Sequence, residues 1–207
     1  MIKPYKISVP KSALNNIYKK VRTYPWKMMQ NVNGWEYGTN YNFLKKISQY
    51  WVSKYNWKKF ENKINSFKNY KTNVDGINLH FIIEKSKNPK SRPLLLLHGW
   101  PGSVIEFFDI IPKLAHPEKF GGKIEDGFDV IVPSLPGFGF STPIKKALGP
   151  RKIGKILNKF MVKNLGYKNY VVQGGDWGAT IASWIGLDSA KYCKGIHINC
   201  LPIRHPK

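Results

Sequence analysis

The sequence has few acidic residues, and this shortage raises the question of a nucleic-acid partner. Its 207 residues carry 12 Asp and Glu against 34 Lys and Arg, a formal net charge of +22. A basic surface of this kind gains affinity for nucleic acid by releasing counterions from phosphates. Only four of the basic residues are arginines, however, and no zinc finger, basic helix or RNA-binding aromatic string accompanies the dispersed lysines. We therefore interpret the charge as a compositional bias towards Lys and Asn and predict no nucleic-acid partner.

Long apolar runs and cysteines are also scarce. No stretch reaches the roughly 18 consecutive apolar residues that a membrane span requires, and the opening MIKPYKISVP has no apolar signal core. We therefore predict a cytoplasmic protein without a membrane span. The two cysteines, Cys193 and Cys200, have neither a CxxC spacing nor histidines at ligand spacing. This favours reduced, structurally incidental thiols over a disulfide or a metal site.

The first third of the chain is rich in aromatic residues and lysine and shows little strand pattern. Within residues 40–55 the apolar side chains recur at helical spacing: Phe43, Leu44, Ile47, Tyr50 and Trp51. This spacing predicts an amphipathic helix whose apolar stripe packs on a neighbour. We accordingly predict a helical N-terminal segment over 1–70 and the beginning of a separate core over 71–207.

Strands appear after the helical segment. Asp75-Gly76 predicts a tight turn between two strands, and PLLLLHG (93–99) and FDVIVP (128–133) are continuous apolar runs, typical of strands that are covered on both faces. Between these runs, Ser103 and Glu106 form an S-x-x-E capping box ahead of the apolar FFDII, which predicts a helix.

The second half of the chain continues the alternation. An apolar stripe over 153–161 predicts a helix that Gly166 terminates. A strand over 170–173, a helix over 177–190 and a strand over 195–199 follow. Repeated units of strand and helix predict an α/β protein with a mostly parallel, doubly wound sheet.

QGGDWG, residues 173–178, lies between a predicted strand and the next helix. The pattern is the nucleophile elbow, normally written G-x-S-x-G, with Asp176 at the position of the serine. Gly174 and Gly178 are small because a large side chain two residues from a strained turn would strike the returning helix or strand. We expect the turn to lift Asp176 out of the sheet, with the N–H groups of the following helix directed at it.

A carboxylate at the elbow implies different chemistry from a serine. With a reference pKa near ~3.9 it is ionised at pH 7 and can attack an sp³ carbon that carries a leaving group. The resulting alkyl ester must then be cleaved by water at its carbonyl, which needs a base and an oxyanion hole. HGWPGS (98–103) supplies a candidate oxyanion hole, formed by the backbone N–H of Trp100 and that of Trp177, the residue after the nucleophile.

The histidines provide no evident base. His98 lies inside the HGWPGS loop, where a structural role, with its ring fixing the loop by hydrogen bonds, is favoured over a catalytic one. The remaining four have no catalytic context in the sequence: His80, His116, His197 and His205.

Four segments together resemble one enzyme family. They are HGWPGS (98–103), LPGFGFS (135–141), QGGDWGATIA (173–182) and the stretch over 35–82. The chain resembles the epoxide hydrolases of the α/β-hydrolase superfamily, in the branch that includes the microsomal and juvenile-hormone enzymes. The stretch over 35–82 is similar to the N-terminal segment peculiar to that branch. The resemblance implies an α/β-hydrolase core, preceded by a helical lead-in.

The resemblance also implies a reaction and its residues. Asp176 would attack an epoxide carbon, and the backbone N–H groups of Trp100 and Trp177 would hold the oxyanion while the ester is hydrolysed. The two indole rings would line the substrate pocket. The structural residues at the site would be His98, Gly99, Pro101, Gly174 and Gly178. The implied reaction converts a small apolar epoxide and water to a vicinal diol, without metal or organic cofactor.

Family members continue beyond the position of Lys207. They add a helical cap with two tyrosines that bind the epoxide oxygen, then an Asp or Glu and a late His that activate water. We expect this chain to be a fragment that lacks the cap, the last strands, the acid tyrosines and the general base. Two alternatives remain open at this point. One is a haloalkane dehalogenase, which also has Asp followed by Trp at the elbow, and the other is a non-catalytic or defective α/β-hydrolase-fold protein.

Overall fold

The computed structural model describes residues 1–30 and 34–200. The chain divides into two compact units. One is formed by Ile7–Ser66, and the other by Met1–Lys6 together with the described residues from Phe67 onward. No helix in the described part of the chain is both long and apolar enough to cross a membrane.

The first unit is helical and contains α1 (Lys11–Arg22), α2 (Tyr41–Ser53) and α3 (Trp57–Asn65). The amphipathic helix predicted within 40–55 is therefore confirmed as α2, which begins where the Asn40 side chain accepts a hydrogen bond from the Phe43 N–H (3.0 Å). Asparagine is a favoured N-cap because its side-chain oxygen satisfies an N–H that has no partner within the helix. The apolar stripe of α2 is less buried than predicted, since four of its side chains are about half exposed: Phe43, Ile47, Tyr50 and Trp51.

Glu61 fastens the chain that leads into α1 onto α3. Its side chain is buried, accepts hydrogen bonds from the Val9 N–H (2.7 Å) and the Trp57 Nε1–H (3.0 Å), and pairs with Lys58. The Lys58 ammonium, with the Val9 and Trp57 donors, lowers the pKa of Glu61 to about 2. A buried carboxylate that accepts this many hydrogen bonds is a structural anchor.

The second unit is built on a sheet of seven strands. Its spatial order is β1-β2-β3-β5-β4-β6-β7, antiparallel as far as the β3–β5 pair and parallel from β5 to β7. The strands are β1 (Lys3–Pro4), β2 (Asn69–Val74), β3 (Ile77–Glu84), β4 (Arg92–Leu97), β5 (Phe128–Pro133), β6 (Tyr170–Gly174) and β7 (Cys193–Ile198). The predicted α/β class with a helical N-terminal segment is therefore confirmed, but the sheet is mixed and not mostly parallel, because the hairpin β2–β3 and its neighbours add three antiparallel pairs to the three parallel ones of the described residues.

The antiparallel end of the sheet has one predicted and one unpredicted feature. Asp75 (φ 51°) and Gly76 (φ 82°) form the two-residue turn between β2 and β3, where positive φ at both positions suits the right-handed twist of a hairpin. The helical segment was predicted to begin at Met1, whereas residues 1–6 are part of the sheet unit because Lys3 and Pro4 pair with β2.

Helices cover the sheet unequally. The helices of this unit include α4 (Ile111–Ala115), α5 (Pro150–Lys159) and α6 (Trp177–Asp188). The core cluster gathers Leu95 and Leu97 of β4 with the apolar faces of α5 and α6. The predicted helix after Ser103 is a 3-10 turn over Val104–Phe107, headed by the predicted capping box, and α4 begins only at Ile111.

The opposite face of the parallel strands carries a cavity in the described part of the chain. Because side chains alternate along a strand, Leu94 and Leu96 point away from α5 and α6. They line a concave surface with a cavity of about 660 Å³, bordered by Phe107 and Ile110 and, on β7, by Ile196. Within residues 34–200, β7 is the outer strand on this side of the sheet.

A buried histidine, His80, lies in the core of the sheet unit. The His80 ring is fully buried, with Nδ1 2.9 Å from Ser134 Oγ and Nε2 3.0 Å from Asn69 Oδ1. Burial, assisted by the nearby Lys71 charge, lowers its pKa to about 3. The unfolded chain therefore takes up a proton near its ordinary pKa of ~6.5 while the folded chain does not.

We predict that the free energy of unfolding falls as the pH is lowered below that value. The slope contributed by His80 approaches about 1.4 kcal/mol per pH unit between ~6 and ~4. Urea denaturation at pH 7 and pH 5 measures this. His80→Asn should be less stable than the wild type at pH 7 but should lose less stability between the two pH values. Equal losses in the two proteins would contradict the assignment.

Candidate active site

The elbow residue occupies the turn between β6 and α6. Asp176 has φ 53° and ψ −124°, a conformation that few residues other than glycine adopt. A Cβ on Gly174 would overlap the Gly178 carbonyl, and one on Gly178 would overlap the carbonyl oxygen of Leu97 at the end of β4. The steric reason for the small flanking residues is therefore the one predicted from the sequence.

The Asp176 carboxylate is exposed and receives two backbone donors. Its Oδ1 accepts a hydrogen bond from the Trp100 N–H at 2.8 Å, and the Trp177 N–H is the second donor, near enough to favour the charged carboxylate. The Trp100 donor, followed by the Trp177 donor, lowers the pKa of Asp176. Both donors favour the charged form, so the carboxylate is ionised at neutral pH.

The loop after β4 approaches the carboxylate very closely. A Cβ on Gly99 would lie 2.5 Å from Asp176 Cβ, so only glycine fits beside the elbow. Trp100 and Trp177 are 68% and 39% exposed, so both indole rings are available to a ligand above the carboxylate. Pro101 follows through a cis peptide bond.

His98 is buried beneath this loop. Its Nδ1 lies 3.0 Å from the Gly99 carbonyl oxygen, and its Nε2 lies 3.1 Å from the backbone nitrogen of Leu135, which donates to it. Burial lowers the pKa of His98, which favours the neutral ring. The ring therefore links two loops by hydrogen bonds, and the link to Leu135 was not visible in the sequence.

Glu106 is a neighbour of the site that the sequence indicated only as a helix cap. Its Oε1 accepts a hydrogen bond from the Ser103 N–H (3.1 Å), and its side chain occupies the space beside Gly102. Burial raises the pKa of Glu106, and the charge of Asp176 raises it further. Glu106 thus braces the loop that carries the Trp100 donor.

The other histidines are engaged elsewhere or lie apart from the turn. His80 is bonded to Asn69 and Ser134, His116 Nε2 lies 2.9 Å from Glu84, and His197 is exposed on β7. His205 lies outside the described residues.

The cysteines and the other candidate metal ligands form no site within residues 1–30 and 34–200. Cys193 is buried and Cys200 is exposed, and neither forms a disulfide in the structure. No three His, Cys, Asp or Glu side chains of that part are grouped so that they could hold a metal ion.

The assembled site combines an ionised, accessible carboxylate with two converging N–H donors. Before any reaction, the donors stabilise the negative charge of the carboxylate itself. If the carboxylate became an ester, the same donors would face the ester oxygen on which charge develops during hydrolysis. Such a site is suited to substitution at carbon through an ester intermediate.

Comparisons with known proteins identify the family to which this site belongs. Residues 2–107 match the family model described as epoxide hydrolase N terminus, and residues 92–206 match the one described as alpha/beta hydrolase fold. Epoxide hydrolase 1 of Oryctolagus cuniculus is 36% identical over 96% of this chain and 44% of its own length. Juvenile hormone epoxide hydrolase 1 of Ctenocephalides felis is 35% identical over 99% of this chain and 44% of its own.

A solved structure gives the same result. The juvenile hormone epoxide hydrolase of the silkworm Bombyx mori superposes with a TM-score of 0.82 and 34% sequence identity, covering 97% of this chain and 53% of that one. This chain therefore spans about half the length of the relatives that it matches. It belongs to the epoxide hydrolases of the α/β-hydrolase superfamily, in the microsomal and juvenile-hormone branch that carries the N-terminal epoxide hydrolase segment.

Proposed function

We propose that this chain carries the ester-forming half of an epoxide hydrolase, with Asp176 as the nucleophile. The observation that supports this most directly is the exposed Asp176 carboxylate at a positive-φ turn, with the Trp100 N–H 2.8 Å from its Oδ1. The two donors orient the side chain, and its lowered pKa keeps it ionised. Exposure leaves the carboxylate accessible to an electrophilic carbon.

The first step forms an ester. A carboxylate oxygen of Asp176 bonds to an epoxide carbon, the carbon–oxygen bond of the ring breaks, and the ring oxygen leaves as an alkoxide that takes a proton from an acid. In the family that acid is a pair of tyrosines, which belong to the part of the relatives that this chain does not span. The whole reaction cycle is accordingly proposed for a protein that includes that part.

The second step releases the diol. Water adds to the ester carbonyl, a base takes its proton, and the backbone N–H groups of Trp100 and Trp177 hold the resulting oxyanion. Collapse of this tetrahedral intermediate breaks the bond between the carbonyl carbon and the diol oxygen, and this oxygen takes up the proton that the new carboxylic acid gives up. The Asp176 carboxylate is regenerated, and neither metal nor organic cofactor enters the scheme.

The substrate class follows from the residues around the carboxylate. Trp100 and Trp177 present partly exposed indole rings beside Asp176, which suits a small apolar epoxide better than a charged one. A cytoplasmic location and the absence of a nucleic-acid partner stay predictions from the sequence.

Trapping of the intermediate tests the proposal. The chain is incubated with an excess of an aryl epoxide and analysed by intact mass spectrometry. We expect a mass increase of one epoxide per chain, with the modification mapped to Asp176. Asp126→Asn is the control. It removes an exposed carboxylate that is distant from Asp176 in the sequence, and it should form the same adduct. A folded chain without adduct would contradict retained nucleophilic chemistry, and halide release from a haloalkane would favour the dehalogenase alternative.

A further inference from the structure

We propose that the loop Ser134–Ser141, here called the support loop, positions the Trp100 N–H by holding His98 as the neutral tautomer with its proton on Nδ1. His98 is then a positioning residue that acts through one peptide bond. The role of His98 in catalysis rests on the proposed function, whereas the hydrogen bonds of its ring do not depend on it.

The Gly99–Trp100 peptide is held from both sides. Its carbonyl oxygen lies 3.0 Å from His98 Nδ1, and its N–H donates to Asp176 Oδ1 at 2.8 Å. In a trans peptide unit the C=O and N–H point in opposite directions, so a group that fixes one also aims the other. By its hydrogen bond to the Gly99 carbonyl oxygen, the His98 ring directs the Trp100 N–H at the Asp176 carboxylate.

The support loop determines which ring nitrogen of His98 carries the proton. The Leu135 backbone N–H donates to Nε2 at 3.1 Å, and a nitrogen that accepts a hydrogen bond carries no proton. In the neutral ring the proton is therefore on Nδ1, which can donate to Gly99. The opposite tautomer would place two donors face to face at Leu135 and two acceptors face to face at Gly99.

The support loop is itself tied to the buried core. Ser141 Oγ donates to the Ser134 carbonyl oxygen (2.7 Å) and accepts from the His80 N–H (2.9 Å). The His80 ring bonds to Ser134 Oγ. All three side chains are at most 1% exposed. A fully bonded buried network of this kind defines a rigid position for Leu135.

The same loop contacts the residue of the second donor. The Phe138 ring lies 5.5 Å from the His98 ring, edge to face, and 6.4 Å from the Trp177 ring. One loop therefore touches both His98, which aims the Trp100 donor, and Trp177, which carries the other. This arrangement accounts for the position of the LPGFGFS segment next to the two loops that carry the donors.

The tautomer can be measured on the unmodified 207-residue chain. Nitrogen-15 NMR of the His98 ring, recorded at pH 7, distinguishes a protonated from an unprotonated ring nitrogen. We expect Nδ1 protonated and Nε2 unprotonated. A proton on Nε2, on both nitrogens, or exchanging between them would overturn the inference, and this result does not depend on any variant folding.

Two substitutions separate the two bonds of the ring. The amide nitrogen of Asn lies near the position of histidine Nδ1, whereas the amide of Gln reaches the position of Nε2. His98→Asn should keep the hydrogen bond to the Gly99 carbonyl oxygen and lose the one from the Leu135 N–H. His98→Gln should keep the hydrogen bond from the Leu135 N–H and lose the one to the Gly99 carbonyl oxygen.

Amide exchange and carboxyl titration report the outcome. In His98→Gln we expect the Trp100 amide to exchange about tenfold faster and the pKa of Asp176 to rise towards that of an ordinary Asp. In His98→Asn both quantities should stay near the wild-type values, while the Leu135 amide exchanges faster. His197→Gln, which changes an exposed histidine on β7, is the control and should change neither. If Asn and Gln affect the Trp100 amide alike, His98 has only a packing role.

These measurements need no substrate, so they separate this inference from the proposed function. A chain that shows the expected tautomer and amide exchange but forms no ester with an epoxide would leave the positioning role intact and remove the proposed chemistry. A chain that forms the ester on Asp176 with the opposite tautomer would do the reverse.

Discussion

Asp176→Ala is expected to lower the rate of adduct formation with an aryl epoxide by about 10³-fold or more, because the substitution removes the attacking carboxylate oxygen. The same substitution should change the free energy of unfolding by less than about 1 kcal/mol. The side chain is exposed and fills no core space. The two N–H groups that it accepts from are at the surface, where water can replace it as acceptor.

Asp176→Asn is the sharper of two variants at this position. Asparagine keeps the size of the side chain, keeps an oxygen that can accept the Trp100 N–H, and tolerates positive φ. Its amide is neutral and is not a nucleophile at carbon. We expect the Asn variant to be as inactive as the Ala variant and at least as stable, measured by intact mass and by urea denaturation.

The two measurements together identify the role of Asp176. Loss of the adduct without loss of stability is the signature of a nucleophile. A folded Asn variant that still forms an adduct at the wild-type rate would place the reaction on another residue. Peptide mapping of the adduct would then locate that residue directly.

The sequence predicted those parts of the fold and site whose causes are local. The turn at Asp75-Gly76 follows from residue types at adjacent positions, and the apolar runs of β4 and β5 follow from burial on both faces. The elbow around Asp176 can be recognised in the sequence because its geometry requires small residues two positions before and after it. The Trp100 N–H was predicted to be an oxyanion-hole donor because HGWPGS and the elbow are motifs with a common geometry, whereas its hydrogen bond to the Asp176 carboxylate itself was not predicted.

Features that depend on long-range contacts were not predicted. His80 had no evident context because its partners, Asn69 and Ser134, come from another strand and a distant loop. The link from His98 to Leu135 joins two loops in the same way. Nothing in the local pattern distinguishes a histidine that accepts a backbone N–H from one on the surface. The half-exposed stripe of α2 was unexpected for a related reason, since amphipathic spacing indicates which face is apolar but not what covers it.

The glycines of the site should separate folding from chemistry. Gly178→Ala is expected to destabilise the sheet unit by about 3 kcal/mol, because the new methyl group overlaps backbone atoms of Leu97 and His98 that cannot move without displacing β4 from β6. Gly149→Ala is the matched control, since nothing lies within 4 Å of its Cβ position and its φ is −79°. That variant should change stability by about 0.5 kcal/mol or less.

Gly99→Ala meets a different obstacle and should have a different effect. Its methyl group would lie 2.5 Å from Asp176 Cβ, which the backbone holds in place, so the exposed loop after β4 has to shift away from the elbow. The Trp100 N–H would then leave the carboxylate, and a displacement of about 1 Å lowers the rate of ester formation by about 100-fold.

We expect Gly99→Ala to remain folded but to form adduct slowly, with the pKa of Asp176 raised as the Trp100 hydrogen bond is lost. Urea denaturation, adduct kinetics and carboxyl titration on the three glycine variants measure these effects. If Gly99→Ala formed adduct at the wild-type rate, close contact between the loop after β4 and the elbow would not be needed to hold the carboxylate in its reactive position.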